Sequence, residues 1–132
     1  MSYETKNIRN IALLGHGNNG KTSLAESMLY VTGAIDRLGK VADGNTVCDY
    51  DAEEIARQIT IATSIAPVSY DGCKINVLDC PGFFDFVGDA LCALRAVEAG
   101  MIVTSAKDTG ESLPVGAQRC WNYLKAASLP VM

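Results

Sequence analysis

Among its 132 residues this chain has one histidine and one tryptophan, and it has no apolar run approaching the length of a membrane span. The lack of such a run argues against a transmembrane helix, and Met1 to Asn10 (MSYETKNIRN) shows no apolar core of a secretory signal. A cytoplasmic protein without a membrane partner is expected. The five cysteines (Cys48, Cys73, Cys80, Cys92 and Cys120) include no C-x-x-C pair. With a single histidine they offer no zinc spacing, and an odd count in a cytosolic chain reads as buried thiols. Positive charge is scarce as well: 11 Lys and Arg stand against 15 Asp and Glu, a net charge of −4. That balance speaks against DNA and against a broad basic face, and leaves only a local RNA contact open. There is no internal repeat, low-complexity tract or linker, so a chain that is 48% hydrophobic reads as one domain with its own core, a monomer.

What the sequence does have is glycine in one telling place. Gly15-His16-Gly17-Asn18-Asn19-Gly20-Lys21-Thr22, followed by Ser23, fits the pattern G-x-x-x-x-G-K-[ST]. Upstream, Ile8 to Leu14 reads as a short buried strand. Downstream, Leu24, Met28 and Leu29 recur at helical spacing in a helix of about Ser23 to Val31. Glycines in a strand-to-helix turn let the backbone fold into a concave nest of N–H groups around phosphates. Lys21 is expected to reach the β- and γ-phosphates and Thr22 to ligate Mg²⁺, while the helix N-terminus adds partial positive charge. A nucleoside triphosphate is the implied ligand. His16 reads as a packing residue of the loop.

Strands and helices alternate along the rest of the chain, with one long interruption. Gly33 to Gln58 shows no sustained period and reads as a functional loop without regular structure. Ile59 to Tyr70, Asp71-Gly72 and Cys73 to Leu78 read as a hairpin, since Asp-Gly is a favoured two-residue turn. Asp85 to Ala99 reads as a second helix carrying Phe86, Ala90, Leu94 and Val97 on one stripe, Met101 to Ser105 as a strand, and Val115 to Ala127 as a third helix. On that third helix Trp121 and Tyr123 read as core and rim. The fold class is α/β of the P-loop type: a mostly parallel sheet with one antiparallel hairpin strand and helices on both faces.

Two further elements belong with the phosphate loop. Asp79-Cys80-Pro81-Gly82 closes a strand, where a carboxylate can hold Mg²⁺ through water and a glycine can bring its N–H close to a γ-phosphate. Arg57-Gln58-Ile59-Thr60-Ile61 ends the long loop, where the Thr60 hydroxyl can complete the Mg²⁺ shell and order the loop when a triphosphate binds.

In this order (phosphate loop, long loop ending R-x-I-T-I, hairpin, then D-x-P-G followed by Asp-Phe) the chain resembles the amino-terminal domain of translational GTPases, the elongation factor G branch in particular. Asn10-Ile11-Ala12, Leu24-Ala25-Glu26, Leu29 to Ile35, Asp36 to Val41, and Gly44 to Asp49 through Glu53 and Arg57 carry the likeness, which runs from about Asn7 to Met132. The resemblance implies GTP and GDP as ligands, Mg²⁺ as cofactor, GTP hydrolysis with Lys21, Thr60 and Gly82 taking part, and the ribosome as partner. Ribosomal protection proteins of the tetracycline type share this region.

The departures from the family pattern are as telling. Phe83 stands where the family places the histidine that orients the attacking water, and phenylalanine can neither donate nor accept that bond. A slow GTP-sensing switch is therefore the alternative to an efficient hydrolase. Gly17 replaces a bulky apolar residue, Gln58 replaces a glycine, and Asn18 replaces an aspartate. G-x-x-N-x-G-K-[ST] is similar to the loop of potassium-activated GTPases, which makes Asn18 a candidate K⁺ ligand. Guanine is read in GTPases by N-K-x-D after the third helix. Leu129 to Met132 reads as the start of that strand, so residues 1–132 are expected to be a partial G domain, with the guanine motif, the last strands and downstream domains outside it. Lys107-Asp108 lacks the preceding Asn and is rejected as a base reader.

Overall fold

Strand β1 (Ile8–Leu14) runs through the middle of a four-stranded sheet, in a computed structural model that describes residues 3–106 and 114–132. The sheet order is β2–β3–β1–β4, with β2 Ser64–Tyr70, β3 Cys73–Asp79 and β4 Ala99–Ile102. β1 pairs in parallel with β3 and β4, and β2 pairs antiparallel with β3. The Asp71-Gly72 turn has both residues at positive φ, 47° and 73°, as the expected two-residue hairpin requires. Helices α1 (Lys21–Val31), α2 (Ala52–Arg57), α3 (Val87–Ala93) and α4 (Val115–Ala126), with short 3-10 turns at Thr5–Asn7, Val41–Asp43 and Phe84–Phe86, complete the described elements.

Alternation along β1 divides the core. Leu13 turns to one face, where it meets Ala25 and Leu29 of α1, Cys48, Ala66, Val68 and Val77. Ala12 and Leu14 turn to the other, against Leu78, Cys80, Ala90, Ala93 and Leu124. Helices therefore cover both faces, as a parallel sheet needs. Residues 130–132 lie along the outer edge of β4: Gly100 N donates to Pro130 O at 2.9 Å, and Met132 N to Gly100 O at 2.9 Å. The expected start of a further strand is in place. No described helix is long and apolar enough to cross a membrane.

Several boundaries differ from the sequence expectations. The first helix begins at Lys21, two residues early, because Gly20 takes the left-handed conformation (φ 91°) that ends the loop. The loop 33–58 is not without regular structure, since α2 forms within it. Its signal is a capping box, Asp51 accepting from Glu53 N at 2.8 Å and Glu54 accepting from Asp51 N at 3.2 Å. The first hairpin strand starts at Ser64 rather than Ile59, because Ile61 N and Ala62 N donate to Glu54 Oε1 (2.9 and 3.1 Å) instead of to a neighbouring strand. The second helix stops at Ala93: Glu98 N already donates to Asn10 O at 2.9 Å, so sheet pairing captures the chain and β4 begins at Ala99. The thiols are not all buried either, since Cys92 is exposed and Cys73 and Cys120 are half-buried. Trp121 lies exposed while Tyr123 packs on the core. Lys107 and Asp108 fall outside the described residues.

Glu54 is 2% exposed and takes three backbone N–H groups, two of them directly after Thr60. Glu54→Ala strands those donors in a buried place, and a loss of about 2–3 kcal/mol is expected. Urea denaturation of the two chains measures it.

Candidate nucleotide-binding site

Because Leu13 sits opposite Asp79 in the β1–β3 register, the loops leaving these strands emerge side by side. Gly15 (φ 141°) and Gly20 (φ 91°) bend the first loop through conformations that suit glycine. Asn19 Nδ2 ties that loop to Val103 O at 3.4 Å. Lys21 opens α1 at only 5% exposure, and its ammonium folds back to donate to His16 O at 2.9 Å. Burial lowers the pKa of Lys21, an effect opposed first by the nearby Asp79 carboxylate.

The second shore of the site is the end of the long loop. The Thr60 hydroxyl stands 3.1 Å from that of Thr22 and donates to Asp49 Oδ1 at 2.8 Å. Burial raises the pKa of Asp49, and the Thr60 bond works against that rise. Asp79 lies beneath, wholly buried, with neither carboxylate oxygen hydrogen-bonded. Burial pushes its pKa up to about 6; the neighbouring Thr22 hydroxyl and Lys21 ammonium pull it down only in part, and neither bonds to it with ordinary geometry. On the third side the backbone of Gly82 presses on the phosphate loop: a Cβ there would collide with Lys21 Nζ and come within 2.6 Å of Gly17 N.

These groups surround a cleft of about 210 Å³. Of the sequence candidates, Gly17, Asn18, Gly20, Lys21, Thr22, Ser23, Thr60, Gly82 and Phe83 line it. Gly15, His16, Asn19 and Asp79 do not; Asp79 supports the floor, and the His16 ring turns outward against Phe83 and Phe84, 5.8 Å from each. Val41, Asp49, Gln58 and Ile59 also line the cleft, although none of them was a candidate ligand; Gln58 and Ile59 were noted only as part of the Arg57–Ile61 element. Asp49 was legible only as part of the run from Gly44 to Arg57. Asn18 holds a left-handed turn (φ 63°), which asparagine tolerates; that accounts for the residue without a cation.

The donor set suits a hard divalent cation bound together with phosphate. Two unpartnered Asp79 oxygens, an unpartnered Asp49 Oδ2 and the Thr22 and Thr60 hydroxyls are all oxygen ligands. Among the described residues no cluster of three His, Cys, Asp or Glu forms a protein-only cage, so the remaining ligands have to come from a bound anion and water.

Strand, glycine-rich turn, buried lysine in the first turn of a helix, and an aspartate at the end of the adjacent parallel strand define a P-loop nucleotide-binding domain. The chain matches the elongation factor Tu GTP binding domain over residues 6–131 and belongs to that family. It is 40% identical over 123 residues to an elongation factor G-like protein of Mycobacterium tuberculosis, covering 93% of this chain and 17% of that protein. It is 41% identical over 105 residues to the tetracycline resistance protein TetS of Listeria monocytogenes, covering 80% of this chain and 16% of TetS. A solved structure from Thermus thermophilus superposes with a TM-score of 0.87 at 40% identity, over 94% of this chain and 19% of that one. The chain thus spans about a sixth of the length of the curated relatives it matches.

An acid whose pKa is higher folded than unfolded binds more protons when folded, so its contribution to stability falls as pH rises. For Asp79, raised to about 6 from an ordinary value near 4, that window is roughly pH 4–6. Asp79→Asn is therefore expected to stabilise the cation-free chain by about 1–3 kcal/mol at pH 7.5 and by little at pH 4. Denaturant titrations at the two pH values, in chelator, measure this.

Proposed function

We propose that this chain is the nucleotide-binding part of an elongation factor G-like GTPase that works on the ribosome in the cytoplasm. The observation that carries the proposal is the delivery of Thr60, from a loop 38 residues downstream, to 3.1 Å from the Thr22 hydroxyl, over a buried Asp79 without partners. A phosphate chain seated in the loop is met by Lys21, by the backbone N–H groups of Gly20, Lys21 and Thr22, and by the partial charge of the α1 N-terminus. Thr22 and Thr60 would hold Mg²⁺ directly and Asp79 through water; the ion, when bound, offsets charge building on the phosphate oxygens. Thr60, held on its other side by Asp49, senses the terminal phosphate, and Gly82 is near enough to offer its N–H there.

Phe83 brings no polar atom to the cleft, so the chain lowers charge repulsion without aiming a water. This favours a slow intrinsic hydrolase, a GTP-sensing switch unless a partner supplies the missing group. The likeness to TetS keeps ribosome protection as a second reading of the same switch.

Titration of the chain with fluorescent GTP and ATP analogues and with GDP, in Mg²⁺, tests the proposal. Lys21→Ala is expected to weaken triphosphate binding about 10- to 100-fold, the worth of a charged hydrogen-bonding group. Discrimination between GTP and ATP is expected to be poor, because no N-K-x-D occurs among the 132 residues. Unchanged triphosphate affinity in Lys21→Ala would remove the site assignment. Hydrolysis in K⁺ against Na⁺ at equal ionic strength, with Asn18→Ala as control, tests the potassium role: equal rates exclude it.

A further inference from the structure

Gly17 differs from the other glycines of its loop. Gly15 and Gly20 have φ of 141° and 91°, whereas Gly17 has no positive φ that would call for glycine. What excludes a side chain at 17 is the Phe83 ring. A Cβ built on Gly17 would lie 2.5 Å from two ring carbons and 2.9 Å from a third, far inside van der Waals contact. The residue is glycine for room.

The same ring is the first side chain after Gly82, whose own missing Cβ would sit 2.6 Å from Gly17 N and 2.7 Å from His16 C. Two glycines thus face each other backbone to backbone, and the ring lies over the junction. The segment is also gripped from outside: the Phe84 ring packs 5.8 Å from His16 and carries Arg119 of α4 at 4.1 Å from its centroid.

We propose that Gly17 and Phe83 are a size-matched pair of positioning residues: the empty Cβ position at 17 is the seat of the ring, and the seated ring holds Gly82 against Lys21, where its N–H meets the terminal phosphate of a nucleoside triphosphate. The departures at 17 and 83 are then one change in two places. A P-loop side chain and a residue-83 ring compete for one volume, so each tolerates the other only when one is small. The pair acts on the third phosphate more than on the first two, because what it holds in place is Gly82, whereas the N–H groups of Gly20 to Thr22 are set by the loop's own turn and the start of α1. This consequence rests on the nucleotide-binding reading, whereas the steric pairing does not.

The test is a double-mutant cycle on the chain itself, with Gly17→Val, Phe83→Ala and the double variant, and with Gly17→Ala as the milder probe should valine prevent folding. In nucleotide-free urea denaturation, Gly17→Val is expected to lower the midpoint clearly when Phe83 is present and hardly at all in the Phe83→Ala background. In titrations with a non-hydrolysable GTP analogue and with GDP, Gly17→Val is expected to weaken the triphosphate about tenfold, the cost of one overpacked side chain, with GDP within about threefold. The double variant should return to the triphosphate affinity of Phe83→Ala. Equal cost of Gly17→Val in both backgrounds overturns the pairing. Equal loss of GDP and triphosphate overturns the positioning of Gly82. A wild-type chain that binds neither nucleotide overturns the functional reading and the phosphate half of the proposal with it, and the unfolding cycle still decides the pairing.

Discussion

The parallel pairing of β1 with β3, in a register that sets Leu13 against Asp79, is the constraint on which the site depends. Two parallel strands end on the same side of a sheet, so the chain segments that leave them must share one space. Here those segments are the phosphate loop and Cys80 to Phe83, and Cys80 N still donates to Leu13 O at 3.3 Å as the strands part. A slip of one residue would turn Asp79 from its place beneath the cleft into the opposite core and exchange Val77 with Leu78 between the two hydrophobic clusters. Burial of those apolar residues therefore fixes where the carboxylate stands. Core and chemistry are set by one alignment.

Three buried carboxylates show how the structure separates support from function. Glu26, 1% exposed, accepts Gly39 N at 3.0 Å and also Val47 N, and so ties the first half of the long loop to α1. Glu54 of α2 in turn fastens the segment that follows the loop, through Ile61 N and Ala62 N. Each has its charge answered by backbone dipoles, and Thr60 hangs between the two anchors. Asp79 is buried as deeply and has no such answer. A lone buried carboxylate costs free energy unless something positive or a donor arrives. The contrast marks Asp79 as the carboxylate best placed to meet a ligand, and burial without a bonded partner is what pushes its pKa up to about 6.

The strongest parts of the site were legible because each is a short pattern with a backbone reason. Gly15, Gly20 and Asp71-Gly72 need positive φ, and the sequence puts glycine or a turn former there. The α/β architecture followed from alternation of buried strands with periodic helices. The helix α2 escaped because six residues give no hydrophobic period, and Glu54 is the buried residue among them; its evidence lay in the Asp51–Glu54 capping box instead. Gln58 read as the loss of a family glycine, yet its backbone takes the left-handed conformation (φ 55°) that favours glycine, with Gln58 Nε2 3.4 Å from Ala42 O. The contact of Gly17 with Phe83 was illegible for a different reason: both departures were visible, but they lie 66 positions apart and only the β1–β3 register brings them together.

That register also decides what kind of chemistry the cleft supports. Its charged lining residues are Lys21 and Asp49, and Asp49 Oδ1 is engaged by Thr60. The imidazole of His16 sits outside, against aromatic rings, and only its backbone carbonyl faces inward to Lys21. The lining therefore concentrates groups that bind phosphate and hold a cation, and on the side of residue 83 it offers hydrocarbon. Electrostatic stabilisation of phosphoryl transfer needs the former, and directing a water needs a polar group where Phe83 stands. On the function proposed above, a site with one and not the other would hold a triphosphate and turn over slowly. On that reading the polar group that ends the bound state would come from outside the cleft, because the side chain at 83 has none to offer.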